Sequence, residues 1–225
     1  MLIDMHAHTV EGGSTDSSLL LRELVEEAKR VGLDGICLTE HGGGWDEKRF
    51  EEMTQEYDIL IIRALEVDTE LGHVGTFGLD GYISGIHKIE ELRHAVDQVG
   101  GFLIAHHPFR GFFDRANLLW TDKDSRPTTP QEAAQHLLFQ MVDAIEALNG
   151  GNNDRENTFA LEVARELGLP CTGASDCHSL NGIGCHATFF ERDLSSEEEF
   201  LKELRAGRFY PVTGLRKDTL VPCKP

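Results

Sequence analysis

The chain opens with Met1-Leu2-Ile3-Asp4-Met5-His6-Ala7-His8, a short apolar run that ends in two histidines. Side chains alternate along a β-strand, so His6 and His8 are expected on one face, about 6.6–7 Å apart. Two imidazoles at that spacing can hold one divalent metal. Asp4 lies on the same face and could orient one of the rings from behind. Taken alone, such a pair is more typical of surface histidines, and its weight comes from the segments that follow.

Later apolar segments end in the same kinds of residue. Glu40 and His41 follow the segment 34–39, and Glu66 follows the most apolar one, 59–65. Because the carboxyl ends of parallel strands meet at one mouth of a barrel, these side chains should converge. The residues expected there are His6, His8, His41, Glu66, His107, Asp176 and His178. Their regular placement predicts a site for several metal ions.

Two neighbouring histidines, His106 and His107, follow the strand predicted at 102–105. Adjacent side chains on a strand face opposite ways, so we expect only one of the two to reach the site. A further strand is predicted at 73–79, and it begins with His73.

Helical periodicity separates the predicted strands. The expected helices are 20–31, 46–56, 89–99, 131–140, 157–167 and 195–206. Asp16 or Ser17 is the expected cap of the first. Strand and helix alternate about seven times, which predicts a parallel sheet closed as a barrel. We expect one domain over residues 1–213 and a tail over 214–225, with 111–130 as a lid or part of a substrate pocket.

Composition narrows the classes of function. The 225 residues carry a formal charge of −18, which disfavours long nucleic acids because their phosphate backbones would be repelled. Acidity also serves solubility. Five scattered cysteines without a Cys-x-x-Cys pair suggest reduced thiols in a cytoplasm. The chain contains no apolar run as long as a membrane span, and we expect no targeting segment.

Together these motifs resemble the polymerase and histidinol phosphatase (PHP) superfamily over nearly the whole chain. Its opening Asp-x-His-x-His is similar to residues 4–8, and its Thr-Asp-His to residues 39–41, where Glu40 replaces Asp. Its lone Glu is similar to Glu66, and the His that comes next in the family is similar to His73. Its Ala-His-Pro is similar to His107-Pro108. Its Gly-Ser-Asp-Ala-His is similar to residues 174–178, with Ala and Cys substituted, and residues 198–210 resemble its closing helix.

The resemblance implies a distorted (β/α)7 barrel that holds two or three divalent transition metals, Mn, Fe or Zn. It implies one metal on His6, His8, Glu66 and Asp176, a second on Glu66, His73 and His107, and a third on His41, His178 and the loop residue Asp16. Glu40 receives no ligand role.

The implied activity is hydrolysis of a small phosphate ester or diester by a metal-bound hydroxide, since two metals can lower the pKa of a shared water toward about 7. Arg110 follows His107-Pro108 closely and is the candidate for holding the phosphate, with a surface ion pair as the alternative. His106 and His186 are the possibilities for the acid that protonates the leaving group. Cys177 is interpreted as a packing residue.

Three other functions stay open at this stage. An amidohydrolase also opens with His-x-His in a barrel, but it usually adds a bridging lysine after the fourth strand, and none stands near residues 73–79. A nuclease acting on short oligonucleotides and an inactive binding module are the others. The expected partner is a small phosphorylated substrate, with no long nucleic acid and no membrane.

Overall fold

The protein is described by a computed structural model over residues 1–13, 16–217 and 219–224. Within these residues ten strands form one sheet. They are β1 (Leu2–Ala7), β2 (Gly35–Glu40), β3 (Leu60–Thr69), β4 (Gly72–Phe77), β5 (Phe102–Ala105), β6 (Ala144–Asn149), β7 (Cys171–Ala174), β8 (His186–Phe190), β9 (Phe209–Thr213) and β10 (Val221–Pro222). Their order in the sheet is β10-β9-β8-β1-β2-β3-β4-β5-β6-β7.

Helices fill most of the connections. They are α1 (Leu21–Val31), α2 (Glu47–Thr54), α3 (Ile89–Val99), α4 (Pro130–Ala133), α5 (Leu138–Met141), α6 (Asp154–Leu167) and α7 (Glu197–Arg205). Single 3₁₀ turns cover Lys123–Ser125 and Leu215–Lys217. Helix α6 shows why the ends fall where they do: Asn153 and Glu156 form a capping box at its start, and Gly168 ends it in the left-handed region.

Two helix predictions differ from the structure. The helix predicted over 131–140 is broken into α4 and α5, because the His136 ring accepts the backbone N–H of Leu138 at 3.2 Å, a donor that a continuous helix would use. Helix α1 begins at Leu21, one residue after the predicted start, and its N-cap is Leu20 in place of Asp16 or Ser17. Its first N–H groups are taken by Glu11, which accepts from Leu21, and by Glu23, which accepts from Leu20.

The sheet mixes parallel and antiparallel pairs. Strands β1, β2 and β3 are parallel, as are β5, β6 and β7, while β4 runs antiparallel to both β3 and β5. β3 and β4 are joined by a tight turn with no helix between them, and β8, β9 and β10 add antiparallel pairs. The fold is therefore mixed α/β around a curled sheet, and the count of seven β/α repeats is not confirmed.

The sheet curls until its two parallel halves meet. Beyond the end of β7, the Asp176 N–H donates to the His6 carbonyl at 2.9 Å, and the His8 N–H donates to the Cys177 carbonyl at 3.1 Å. These bonds place the carboxyl end of β1 beside the segment after β7, with Ala7 and Cys177 forming a parallel bridge. Backbone hydrogen bonds thus join the segment that carries His6 and His8 to the segment that carries Asp176.

Apolar side chains fill the sheet and its helical cover. One group joins Ile3, Ile62 and Ile104 to Phe190 and Phe200, and it draws on strands from across the sheet because the sheet is curled. The buried face of α1 packs against β2 in a second group.

The tail contributes a short edge strand, since β10 pairs with β9. Its residues Asp218 and Pro225 lie outside the described part of the chain. Among the described helices, none combines the length and the apolar character needed to cross a bilayer.

Candidate metal centre

The two histidines of the opening motif lie side by side at the centre of the cluster. Both are fully buried, and their Nε2 atoms are 2.9 Å apart. Oδ1 of Asp176 lies 3.4 Å from each of these nitrogens. Two imidazole nitrogens and a carboxylate oxygen therefore point at one small volume.

Glu66 divides its two carboxylate oxygens between different histidines. Oε2 lies 3.3 Å from Nε2 of His6, 3.4 Å from Nε2 of His8 and 3.2 Å from Nε2 of His41. Oε1 lies 3.0 Å from Nε2 of His107 and 3.3 Å from Nδ1 of His73. With 3% of its surface exposed, this carboxylate has the position of a bridge between two sets of donors.

A third set lies at the more open side of the cluster. Oδ2 of Asp16 is 3.0 Å from Nε2 of His178 and 3.8 Å from Nε2 of His41. Asp16 therefore faces imidazoles, as its predicted role as a metal ligand requires. It does not cap a helix, which was its other predicted role. Ser14 and Thr15, in the same predicted loop, lie outside the described residues.

Both histidines after β5 reach Glu66, so the expectation that only one would do so is wrong. Nδ1 of His106 lies 3.1 Å from Oε1 of Glu66, the oxygen that also faces His107. The alternation of a strand does not extend past Ala105, because His107 has a φ of 29°. Asp176 has a φ of 52°, and such left-handed conformations of residues other than glycine are concentrated at functional sites.

Glu146, on β6, is a residue of the site that the sequence reasoning missed. Its Oε1 lies 2.9 Å from Nδ1 of His6, and its Oε2 accepts from the His107 N–H and the Asn149 amide. A carboxylate in this position fixes the orientation of a ligating ring. Asp4, which was expected to do so, accepts instead from the backbone N–H of Ser175. The sequence contains one signal for Glu146: it is a single acid inside the apolar strand Ala-Ile-Glu-Ala-Leu, and a buried acid is uncommon without a partner.

The electrostatics of the cluster follow from packing imidazoles against carboxylates without solvent. Burial lowers the pKa of His6, but the carboxylates of Asp176, Glu66 and Glu146 outweigh it and hold that pKa well above its usual value. Burial raises the pKa of Glu66, and the charge of His6 with hydrogen bonds from His106 and His107 brings it well below its usual value. The same balance lowers the pKa of Glu146 to about 2. The carboxylates are therefore charged and surrounded by nitrogen donors.

These donors fit divalent transition metals. The described residues contain overlapping groups of three side chains whose ligand atoms all lie within 4.8 Å of one another, and among them are His6–His8–Asp176, His6–Glu66–His107 and His8–His41–His178. Imidazole and carboxylate are ligands that Zn, Mn and Fe accept.

Arg110 lies at the rim of this cluster. Its Nη2 contacts Oδ2 of Asp176 and donates to Oδ1 of Asn149 at 2.6 Å. The side chain is 39% exposed and lines a cavity of about 470 Å³ together with Asn152 and Arg115. A larger depression of about 700 Å³ lies at the amino ends of β1 to β3, and no histidine lines it, so the chemistry places the candidate site at the carboxyl ends.

The remaining predicted residues have simpler environments. Cys177 is buried, as a packing residue should be. Glu40 is also buried and accepts from Thr9 and from the Trp45 indole. His186 contacts Asn157 on α6, with 3.5 Å between the ring and amide nitrogens.

A curled α/β sheet with His and carboxylate donors at the carboxyl ends of its strands is typical of a class of metal-binding α/β proteins. Residues 4–146 match the model of the PHP domain, and residues 154–209 match that of the PHP-associated region. The chain belongs to the PHP family.

A curated relative is similar over most of the chain, and solved structures share the fold. A protein named "Probable phosphatase" from Caldicellulosiruptor saccharolyticus is 26% identical over 220 residues, which cover 90% of each chain. PsfC from Pseudomonas syringae has a similar fold, with a TM-score of 0.61, 18% identity and coverage of 96% of this chain and 93% of that one. The lesion-specific endonuclease PfuEndoQ from Pyrococcus furiosus matches with a TM-score of 0.59 and 16% identity, over 91% of this chain and 56% of the endonuclease.

Proposed function

We propose that this protein is a metal-dependent phosphoesterase that hydrolyses a small phosphate monoester or diester on a distorted PHP-type barrel. Family membership and the full-length similarity to a protein named "Probable phosphatase" support a hydrolase. The choice of a phosphate ester is our inference from the site.

One observation carries the proposal: Glu66 presents each of its oxygens to a different set of histidines. A carboxylate that bridges two metals needs this arrangement, and paired metals are a common device for phosphoryl transfer. His6, His8, Glu66 and Asp176 would hold one ion, and Glu66, His73 and His107 a second. His41, His178 and Asp16 would hold a third.

The metals would supply charge to neutralise the phosphoryl oxygens and would lower the pKa of a coordinated water. The protein contributes orientation and shape. Glu146 fixes the His6 ring through its Nδ1, and the burial of His6, Glu66 and His107 keeps bulk water from the floor of the site. His41, His73 and His178 are partly exposed, so substrate would approach from their side.

Arg110 would bind the phosphate at this open side. It is half-exposed, and its guanidinium already contacts Asp176, so a short movement would bring a planar pair of donors to a phosphoryl group.

The direct test is metal analysis of purified protein together with turnover of a panel of substrates. Protein reconstituted with Mn, Fe or Zn should carry two or three ions per chain. It should hydrolyse at least one member of a panel of histidinol phosphate, nucleotides, phosphotyrosine peptide and phosphodiesters. An amide substrate is included for comparison. Less than one ion per chain, or turnover of the amide without turnover of any phosphate ester, would overturn the proposal.

The competing functions separate in the same assay. Faster turnover per site on long DNA or RNA than on any small ester would favour a nuclease, against the expectation from the charge of −18. A full complement of metal without any turnover would indicate a binding module.

Arg110→Ala tests the phosphate contact. A charge-assisted hydrogen bond is worth about 1.5–3 kcal/mol, so kcat/KM for phosphate esters should fall about tenfold or more while metal content stays unchanged. Arg22→Ala, which removes an exposed arginine from α1, is the matched control. Unchanged kinetics in Arg110→Ala would return Arg110 to the role of a simple ion-pair partner.

A further inference from the structure

Asp68 stands behind two of the candidate ligands and has no role in the function proposed above. It follows Glu66 by two residues on β3, so both side chains leave the same face of the strand. Across the antiparallel pair of β3 and β4, Asp68 lies directly opposite His73. Its Oδ1 is 3.1 Å from Nε2 of His73 and 4.0 Å from Nδ1 of His41.

The nitrogens that Asp68 faces are the outer ones of both rings. The inner nitrogen of His73 is Nδ1, which lies 3.3 Å from Oε1 of Glu66. The inner nitrogen of His41 is Nε2, which lies 3.2 Å from Oε2 of the same carboxylate. One exposed acid thus lies outside two histidines that face opposite oxygens of Glu66.

The contacts of His73 distinguish between its two neutral tautomers. Nδ1 is buried and lies 3.3 Å from Oε1 of Glu66, so a metal held by that oxygen would take the lone pair of this nitrogen. Nε2 lies 3.1 Å from Oδ1 of Asp68, and an ionised carboxylate can only accept hydrogen bonds. A neutral ring that binds such a metal therefore carries its proton on Nε2.

We propose that Asp68 is a positioning residue, which holds His73 in the Nε2–H tautomer and so leaves Nδ1 free to bind a metal. The proposal rests on the metal site of the proposed function and adds which nitrogen of His73 is the ligand and what fixes it. His6 provides the mirror case, since its Nδ1 is held by Glu146 and its Nε2 faces the cluster. Carboxylates that orient a ligating imidazole in this way commonly change metal affinity when removed.

The role of Asp68 can be separated from general stability. Its side chain is 71% exposed, and exposed ion pairs contribute little to folding. Asp68→Asn should therefore melt like the unmodified protein in the presence of chelator. Its effect should be confined to the ion that His73 binds.

The first experiment measures Mn²⁺ binding by calorimetry on the full chain. We expect Asp68→Asn to weaken one Mn²⁺ about tenfold and to leave the affinity of the other ions unchanged. Asp58→Asn is the matched control, because Asp58 is an exposed acid two residues before the opposite end of the same strand, and this variant should bind Mn²⁺ as the unmodified protein does. Equal affinity for every ion in Asp68→Asn would overturn the proposal.

The second experiment reads the tautomer without turnover. Long-range ¹H–¹⁵N spectra of the Zn²⁺-loaded protein should show His73 with its proton on Nε2, and Asp68→Asn at limiting Zn²⁺ should weaken that signal. A proton on Nδ1 of His73 in the unmodified protein would overturn the proposal. Because neither measurement uses a phosphate ester, failure of the proposed activity would leave both results interpretable.

Discussion

Glu40 on β2 and Glu66 on the neighbouring β3 are both buried carboxylates, and their surroundings differ completely. The oxygens of Glu40 accept from neutral donors fixed in the fold: the Thr9 N–H at 3.0 Å, the Thr9 hydroxyl and the Trp45 indole at 3.0 Å. The oxygens of Glu66 face imidazole nitrogens. Neutral donors fixed in the fold keep a carboxylate hydrogen-bonded permanently. Imidazoles, in contrast, can replace their hydrogen bond to the carboxylate with a metal ion that both groups bind. The donors around a buried acid, more than its burial, therefore distinguish a structural acid from a candidate ligand.

The largest difference should follow the substitution Glu66→Gln. It keeps the shape of the side chain and removes its charge and one strong oxygen ligand. We expect activity to fall by at least about a hundredfold, above the range for residues that only orient a ligand, and metal content to drop by at least one ion. Elemental analysis and kinetics check both. Near-normal activity with a full complement of metal would remove Glu66 from the centre of the site.

Chelation sharpens the same test. An ion present at a hundred times its Kd stabilises a protein by about 2.7 kcal/mol, which raises Tm by about 5–10 °C for a chain of this size. Chelator should therefore lower the Tm of the unmodified protein by at least that amount and the Tm of Glu66→Gln by less. Equal shifts in the two proteins would contradict the bridge.

Glu146 is an intermediate case, because its donors are the His6 ring, the His107 N–H and the Asn149 amide. We expect Glu146→Gln to weaken metal binding about 10–100-fold, since it loosens the orientation of His6 without removing a ligand. Competition with a chromophoric chelator measures the change. Loss of a whole ion would show that Glu146 is itself a ligand.

Glu40→Gln should leave the metal content unchanged and lower the stability. Its new amide NH₂ would face N–H and O–H donors, and a buried donor left without a partner costs about 1–3 kcal/mol. Thermal melting should show the same loss with and without chelator. A loss of metal would bring Glu40 into the site and erase the contrast with Glu66.

A last comparison concerns the acid stability of the metal-free protein. The pKa of Glu146 falls from 4.5 to about 2 on folding, so its contribution to stability is complete above pH 4.5 and disappears as the pH falls toward 2. The difference in unfolding free energy between the unmodified protein and Glu146→Gln should therefore narrow over that interval. Urea unfolding in chelator at several pH values measures it, and a constant difference would contradict the shift.

The converging ligands could be predicted because strand ends impose their position. Once 34–39, 59–65 and 171–174 are strands, His41, Glu66 and Asp176 must meet, and the structure brings them together. The antiparallel β4 and the extra antiparallel strands were less predictable, since apolar segments do not state their direction. No regular pattern indicates a helix broken by one ring, as at His136.

Side chains that act through another residue were the hardest to predict. Asp4 and Glu146 are both acids near His6 in space, but of these two only Glu146 reaches its ring. In sequence, 140 residues separate Glu146 from His6. His106 joined the cluster because the chain leaves strand geometry at His107. Such contacts depend on backbone angles beyond the strand ends, which alternation does not describe.

The backbone bonds between the segments at His6–His8 and Asp176–Cys177 have a consequence for biosynthesis. During synthesis His6 and His8 are made long before Asp176 and Cys177, so the backbone bonds that join the two segments cannot form until residue 177 is in the chain. Closing so long a loop is slow compared with local folding, so the complete donor set forms only after most of the sheet has assembled. We therefore expect fragments that stop before β7 to lack the ligands Asp176 and His178 and to bind fewer metal ions at this centre than the full chain.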